Sequence, residues 1–472
     1  MHMRAQESGA NNSEHWWQSR CPVGRVFFAL CASMLGAWLI VACSPSLVHS
    51  GGEGLVVPAL PVGIQIEPTE LEGWVFADAS GRSLYRWPQK NLRNGNAGDP
   101  TGASFCTSTK TTVNAGLMSP YPAGLVLPDL DTRPACTTAW PPATVAPGSK
   151  PMGRWTIIER KDGIRQWAYD EAPLYTSNLD QRAGDVFGGS ARYSGGDGPA
   201  NREPVGPAPD MPPGFAVKTT SVGRLLVTDR QLSVYVFDRD GRDASACEGE
   251  CAKAWIPMAA PAAGRPHGEW TTFLRADGTR QWAFRHKALY RYALDRHPYS
   301  VEGSDVAGWH NIYTQRAPDP PAGFTVQDTT AGQVLADARG MTIYTFRCAD
   351  DAEDQLSCDH PTTTQVYRIA FCGGGDAARC LRSFPYVLAP PHAPTASRTW
   401  RAVDINPQTG RFAEPGQPGS VHVWTYRDRP VYTYSGDRQP GDVNADSHGE
   451  FRGERNGFNA IWIRDDYFGR TG

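Results

Sequence analysis

The chain has 472 residues, of which 20% are charged and 10% aromatic, and its formal net charge is -3. At about 150 residues per domain, this length predicts three domains that can each bury a core. The low charge, together with 49 glycines and 39 prolines, excludes a disordered or nucleic-acid-binding chain and is typical of a turn-rich globular protein.

The N-terminus has the order of a signal peptide, with arginines before a nearly uninterrupted apolar run from 26 to 42. Ile40-Val41-Ala42-Cys43 then matches the bacterial lipoprotein cleavage site. We therefore expect residues 1–43 to be a lipoprotein signal peptide, with Cys43 carrying a lipid that anchors the protein to the membrane. The alternative is an uncleaved helical anchor, because 17 apolar residues are just long enough to span a bilayer.

Three later stretches repeat one pattern, in which an aromatic strand leads to a Cys-x-x-x-aromatic-Pro turn. The aromatic residues of the pattern are Tyr85, Trp87, Trp140 and Tyr175 in the first copy, Tyr235, Phe237, Trp255 and Tyr290 in the second, and Tyr344, Phe346 and Tyr432 in the third. The predicted organisation is a tether at 44–62, module 1 at 63–187, a linker at 188–213, module 2 at 214–316, a linker at 317–322 and module 3 at 323–466. The first linker is rich in Gly and Pro, so we expect protease to cut there first and release module 1.

Alternating β-branched and aromatic residues predict two hairpins in each module. The first hairpin leads into the strand of Tyr85, Tyr235 or Tyr344. The second pairs a strand that begins at a tryptophan with a return strand, which we expect to continue to Tyr175, Tyr290 or Tyr432. The predicted fold is all-β: three consecutive modules of small sandwich or barrel type, each built from two similar halves.

The eight cysteines beyond Cys43 are distributed in even numbers among the modules, which outside the cytosol indicates disulfides within each module. We expect Cys106 to pair with Cys136 and Cys247 with Cys251. The four cysteines of module 3 allow three pairings, which the sequence does not rank; they are Cys348, Cys358, Cys372 and Cys380.

Module 2 carries a resemblance in Tyr235-x-Phe237-x-x-Asp240, its cysteine pair and Trp255-x-Pro257. These residues resemble the bacterial secreted-repeat lipoproteins with a Tyr-x-aromatic-x-x-Asp motif, a repeat of undefined function. The resemblance is weaker in modules 1 and 3. It implies an exported protein of the cell envelope, on the membrane or cell surface, and adds no mechanism.

The sequence contains no Gly-x-Ser-x-Gly, no His-Glu-x-x-His and no phosphate-binding glycine loop, and module 1 contains no histidine. A histidine mechanism shared by all modules is thereby excluded, and we expect neither a catalytic residue nor a cofactor. Cys247 and Cys251 with Met258 could bind copper, but the corresponding cysteines of module 1 are 30 positions apart. A disulfide tolerates that change of spacing better than a metal chelate does, so no metal is expected.

Tyr and Trp at alternating positions usually fill a core and cross-strand pairs. Where such rings face solvent, they would suit polysaccharide or a protein of the envelope. We therefore expect a lipid-anchored binding or scaffolding protein without a defined activity. The alternative is a periplasmic redox or metal-handling protein that uses Cys247 and Cys251.

Overall fold

The computed structural model describes residue 55 and residues 58–86, 106, 108, 136–189, 203–295, 297–348, 360–393, 397–450 and 456–465. The predicted signal peptide with Cys43, and most of the tether, lie outside these residues. Within the part of the chain that is described, no helix is long and apolar enough to cross a membrane. All the described residues belong to one compact unit.

Module 1 consists of two hairpins, a short helix and a closing strand. Its elements are β1 (Ile64–Pro68), β2 (Trp74–Asp78), β3 (Tyr85–Arg86), α1 (Cys136–Ala139), β4 (Trp155–Glu159), β5 (Arg165–Tyr169), β6 (Ala172–Pro173) and β7 (Glu203–Pro204).

Module 2 repeats this order with longer strands around the motif, and a short 3-10 helix (Glu302–Asp305) precedes its closing strands. Its elements are β8 (Phe215–Thr220), β9 (Gly223–Thr228), β10 (Tyr235–Phe237), α2 (Glu250–Ala254), β11 (Trp255–Pro257), β12 (Trp270–Leu274), β13 (Arg280–Phe284), β14 (Lys287–Ala288), β15 (Tyr290–Tyr292), β16 (Trp309–Asn311) and β17 (Tyr313–Arg316).

Module 3 differs in having two helices before its second hairpin. Its elements are β18 (Thr325–Thr329), β19 (Gly332–Ala336), β20 (Tyr344–Cys348), α3 (Val366–Gly373), α4 (Ala377–Ser383), β21 (Trp400–Ile405), β22 (Val421–Tyr426), β23 (Arg429–Tyr432), β24 (His448–Glu450), β25 (Asn456–Ala460) and β26 (Trp462–Asp465). The prediction of an all-β chain of several modules is confirmed, because small antiparallel sheets dominate all three.

The second hairpin has the same register in every module, with the leading tryptophan opposite an aromatic residue of the return strand. The pairs are Trp155 with Tyr169, Trp270 with Phe284, and Trp400 with Tyr426. Because strand side chains alternate between two faces, each return-strand aromatic shares a face with the tryptophan two positions before it, which is Trp167, Trp282 or Trp424. Together they lie in one hydrophobic cluster of their module, while the motif tyrosine lies in another.

The return strand does not continue directly to Tyr175, Tyr290 or Tyr432, because a turn interrupts it. A two-residue turn follows Tyr169, Phe284 and Tyr426, and reverses the chain into β6, β14 and β23. The central residues of these turns all have positive φ: Asp170 (48°) and Glu171 (65°), Arg285 (50°) and His286 (63°), Arg427 (53°) and Asp428 (64°). Such turns usually contain Asn-Gly or Asp-Gly, so charged residues without glycine gave no turn signal.

Each module is closed by a late segment that inserts beside the first hairpin. In module 1 this segment lies inside the predicted linker 188–213, because β7 pairs with β3 and Val205 is buried in the core. The backbone N–H of Phe76 donates to the carbonyl of Val205 at 2.7 Å, and the N–H of Val205 to the carbonyl of Leu84 at 2.8 Å. Ile312 and Ile461 occupy the same position in modules 2 and 3. Residues 203–205 of the predicted linker are therefore part of module 1.

Candidate functional site

The motif tyrosine of each module is fully buried, and its hydroxyl donates a hydrogen bond to an aspartate. The pairs are Tyr85 with Asp180 at 2.6 Å, Tyr235 with Asp295 at 3.0 Å, and Tyr344 with Asp437 at 2.7 Å. Burial raises the pKa of Asp180 to about 8 and that of Asp295 to about 7, and it also raises the pKa of Asp437. Burial therefore favours the protonated, uncharged form of each carboxyl group beside its tyrosine.

Sequence reasoning missed the three aspartates, although a signal was present. Each lies five positions after the tyrosine of the following strand: Tyr175 and Asp180, Tyr290 and Asp295, Tyr432 and Asp437. Two aspartates of later turns, Asp185 and Asp442, instead accept hydrogen bonds from nearby backbone N–H groups, as turn residues do.

Four aromatic rings form a continuous stack in module 2. The ring of Trp309 lies 4.4 Å from Phe237 and 3.7 Å from Trp255, and Trp255 lies 4.4 Å from Tyr292. The two tryptophans are buried, whereas Phe237 and Tyr292 at the ends of the stack are half-buried. The motif residues Phe237 and Trp255 thus belong to the core, and Trp309, which the sequence analysis did not identify, joins them.

Module 3 builds the corresponding stack from different rings. Phe384 replaces Trp255 and lies 3.6 Å from Phe458 and 4.8 Å from Tyr434, while Phe346 contacts Phe458 edge-on at 5.2 Å. In module 1, Trp140 packs edge-on against Tyr85 at 5.4 Å. Trp87 lies outside the described residues.

The remaining motif residues also have structural partners. Asp240 accepts a hydrogen bond from the N–H of Ala246 at 2.7 Å, and the hydroxyl of Tyr290 donates to Ser245 at 2.7 Å. Tyr175 and Tyr432 are buried in their modules. These contacts tie the motif to the chain segment before the cysteines.

The structure joins Cys247 to Cys251 and, in module 3, Cys372 to Cys380 as disulfides. Cys106 is buried and disulfide-bonded. The side chains of Cys136, Cys348 and Cys358 lie outside the described residues. Because the sulfurs of Cys247 and Cys251 are bonded to each other, neither is a thiolate available to a metal in this state.

A buried arginine fixes the carbonyl of the first cysteine in modules 1 and 2. Arg160 donates to the carbonyl O of Cys106 at 2.5 Å, and Arg275 to that of Cys247 at 2.6 Å. Each arginine also donates to a buried glutamine on the neighbouring strand, Gln166 at 3.0 Å or Gln281 at 2.5 Å. Cys106 therefore takes the place of Cys247, although the following connection is much longer in module 1.

The three modules meet around the turn between β1 and β2. The carboxylate of Glu72 in module 1 pairs with Arg427 of module 3 at 2.5 Å and accepts from Thr219 of module 2 at 3.3 Å. Arg224, also of module 2, donates to the backbone carbonyl of Glu72 at 2.9 Å. Burial raises the pKa of Glu72 and lowers that of Arg427 to about 10, because it disfavours both charged forms.

Further bonds secure the same turn on both sides. Gln315 of module 2 donates to the carbonyl of Thr69 at 2.7 Å and accepts from the N–H of Gly73 at 3.0 Å. On the other side, the Glu70 carboxylate accepts from the backbone N–H groups of Arg398 and Thr399 in module 3, at 2.8 and 2.7 Å. The turn is thus bound to both other modules through main-chain and side-chain atoms.

Among the described residues, no group of three or more His, Cys, Asp or Glu side chains is placed to hold a metal ion. The functional residues that recur between modules are buried Tyr–Asp pairs, stacked rings and disulfides. These interactions stabilise the fold. The modules differ in the length of chain between β3, β10 or β20 and the helix that follows.

No curated protein and no solved structure matches the chain. Residues 216–259 match the model of a family described as a secreted repeat of unknown function, which indicates export to the cell envelope or beyond. The matched range begins in β8 and includes Tyr235, Phe237 and both cysteines of module 2. The expected resemblance is confirmed there: module 2 of this chain carries the secreted repeat.

Proposed function

We propose that this protein is anchored by a lipid on Cys43 in the cell envelope, where it serves as a binding or scaffolding protein. The observation that carries the proposal is the junction at Glu72, which joins three modules into one block. A block of this kind presents several surfaces in a fixed arrangement, which favours a binding role over a catalytic one.

Binding is assigned to the inserted segments, because the repeated residues are occupied within the fold. Modules 1 and 3 lengthen the chain at the same place, before the Cys-x-x-x-aromatic turn, whereas module 2 has only a short connection there. Connecting segments on a fixed scaffold are where binding residues concentrate. The partner class is an envelope protein or an envelope polysaccharide.

The anchor is tested by the intact mass of protein extracted from the membrane fraction. Cleaved protein with acyl chains on Cys43 supports the proposal, and Cys43→Ala should then move the protein out of that fraction. Uncleaved Cys43→Ala protein that remains in the membrane would instead establish a helical anchor.

The binding role is tested with isolated peptidoglycan sacculi and by cross-linking in intact cells. The informative variant deletes residues 109–132, which leaves Cys106 and Cys136 and shortens the connection toward that of module 2. Loss of sacculus co-sedimentation, or of a specific cross-linked band, supports the proposal. Unchanged binding by this variant and by a matching deletion in module 3 would contradict the role of the insertions.

The alternative, a redox or metal-handling protein using Cys247 and Cys251, has less support. Arg275 contacts the carbonyl of Cys247 and not its sulfur, and the two sulfurs are joined to each other. A thiol titration of the native protein separates the two functions, because free thiols at these positions would favour the alternative.

A further inference from the structure

A buried guanidinium group touches the disulfide of module 3. Arg368 on α3 has 0% exposure, and its Nη1 lies 3.2 Å from Sγ of Cys380. Its Nη2 lies 3.3 Å from the hydroxyl of Tyr386, and the guanidinium sits 5.3 Å from the ring centre of Tyr432. The cation is therefore surrounded by a sulfur, a hydroxyl and aromatic rings.

This arginine differs from the buried arginines of the other two modules. Arg160 pairs with the carboxylate of Asp162 at 2.9 Å, and Arg275 lies 3.6 Å from that of Asp277. In the described part of the chain no carboxylate pairs with Arg368, and its Nε has no hydrogen-bond partner there. A buried charge without a counterion is costly, so an anion that forms at Sγ of Cys380 is stabilised at this position.

We propose that Cys372 and Cys380 form a thiol–disulfide exchange site, with Arg368 stabilising the thiolate that leaves. The reactant is an external thiolate. This role is independent of the scaffolding function and lies in a different module from the cysteine pair considered above.

The two sulfurs are unequally accessible, which sets the direction of attack. Cys372 at the end of α3 is half-buried, whereas Cys380 on α4 is fully buried. An incoming thiolate therefore reaches Sγ of Cys372, and Cys380 is the leaving group. Neighbouring cations favour the thiolate form of cysteine, and a more stable thiolate leaves faster.

In the first step, a bond forms between the external sulfur and Sγ of Cys372. The bond between Cys372 and Cys380 breaks, and its electron pair remains on Cys380 against Arg368. A second external thiolate then attacks the external sulfur of the mixed disulfide and releases Cys372, which takes a proton from water. The external thiols are oxidised to a disulfide, and the protein gains two electrons.

In the reduced state, both sulfurs would have a polar partner in Arg368. Sγ of Cys372 lies 2.8 Å from the carbonyl O of Arg368, to which a protonated thiol can donate. The Cys380 thiolate faces the guanidinium of the same residue. Arg368 thus serves as a positioning residue for both partners of the exchange.

The first test follows disulfide opening in the full chain with dithiothreitol or reduced glutathione, by quenching with an alkylating agent and locating labelled cysteines by mass spectrometry. We expect the Cys372–Cys380 bond to open at least about tenfold faster than Cys247–Cys251. Arg368→Gln should slow the opening of the Cys372–Cys380 bond, whereas Arg275→Gln should leave the opening rate of that bond unchanged. Equal rates for the two bonds in the wild-type protein, or an unchanged rate in Arg368→Gln, would overturn the proposal. The glutathione and dithiothreitol arms distinguish a monothiol from a dithiol as the source of electrons.

A second test does not depend on replacing Arg368. Cys372→Ser leaves Cys380 as a buried thiol without its disulfide partner, and Cys251→Ser leaves Cys247 as a matched buried thiol without a guanidinium at its sulfur. Ultraviolet absorbance of the thiolate should appear at lower pH for Cys380 than for Cys247. Ionisation of both thiols at the same pH would refute the role of Arg368.

Discussion

Glu72 and Arg427 lie 355 positions apart in the chain and form a buried ion pair at 2.5 Å. Their side chains are only 9% and 7% exposed. The pair joins the first hairpin of module 1 to the turn between β22 and β23 of module 3, at the point where Thr219 of module 2 also contacts the carboxylate. Three modules that resemble separate domains in sequence are therefore linked through one side chain.

Removing one partner of this pair should destabilise the protein strongly. Arg427→Met leaves a buried carboxylate without its cation, which typically costs roughly 3–5 kcal/mol in the free energy of unfolding. Replacing both residues, as Glu72→Met with Arg427→Met, should recover much of that loss, because no unpaired buried charge remains. Urea unfolding of the two single variants and the double variant measures the coupling.

The control for this experiment is Glu250→Gln, because the pair of Glu250 and Lys253 is on the surface, with side chains 87% and 74% exposed. Exposed ion pairs contribute little to stability, so no measurable change is expected. If Arg427→Met behaves like Glu250→Gln, the junction does not hold the modules together.

Unfolding should depend on pH through Asp180. Its pKa is about 8 in the folded protein and its ordinary value is 3.8, so the folded state retains a proton that the unfolded state releases. This contribution to stability is fully present below the ordinary value and is lost as pH rises toward about 8. Asp180→Asn cannot ionise, so its free energy of unfolding should exceed that of the wild type increasingly as pH rises.

The opposite sign is expected for Asp277, whose pKa is lowered mainly by hydrogen bonds from Thr279. Its contribution is lost as pH falls, and Asp277→Asn should show no gain at high pH. Denaturant titrations at several pH values compare the two variants. An Asp180→Asn protein that is less stable than wild type at neutral pH would mean that Tyr85 and the N–H of Phe187 stabilise an ionised carboxylate instead.

Trp309 should be the most sensitive position of the aromatic stack. It lies between Phe237 and Trp255, contacts Tyr290 edge-on at 5.0 Å and is 3% exposed, so Trp309→Ala removes three ring contacts and leaves a cavity. Such changes cost about 3–5 kcal/mol. Leu294→Ala is the comparison, because Leu294 is 65% exposed and its truncation should be nearly neutral in thermal unfolding. Equal effects of the two changes would show that the stack contributes no stability.

Cutting the chain between modules 1 and 2 should not separate them. A protease site engineered into residues 190–202 leaves β7, the junction at Glu72 and the bonds of Gln315 intact. The two fragments should therefore elute together in size-exclusion chromatography, and should separate more readily when Gln315→Ala is added. Independent elution of the wild-type fragments would restore the earlier expectation of a releasable module 1.

Local patterns predicted the hairpins well, because Trp282 and Phe284 lie at alternating positions of one strand and Asp277-Gly278 is a strong turn signal. The turn at Arg285 and His286 was not predictable in this way, since two charged residues adopt positive φ only where the surrounding sheet requires it. The closing strand β7 is two residues long, too short for any periodicity.

Contacts between distant parts of the chain were beyond sequence reasoning. Nothing near Glu72 indicates Arg427, because a single glutamate in a turn is usually solvated. Asp295 was hidden for a similar reason: one carboxyl after a tyrosine carries little information until the same spacing is compared in all three copies. The pairing of Cys372 with Cys380 required the positions of α3 and α4.

Arg160 holds the carbonyl of Cys106, and Arg275 holds that of Cys247. Because of these bonds, the fold does not depend on the length of the connection that follows the cysteine. The carbonyl of the first cysteine and the helix before Trp140 or Trp255 keep the same role in both modules, whether the two cysteines are four or 30 positions apart. New sequence can therefore be inserted at this place during evolution, or by design, without repacking the interior. The repeat resembles an antibody domain in this respect: a constant frame on which one segment is free to diversify.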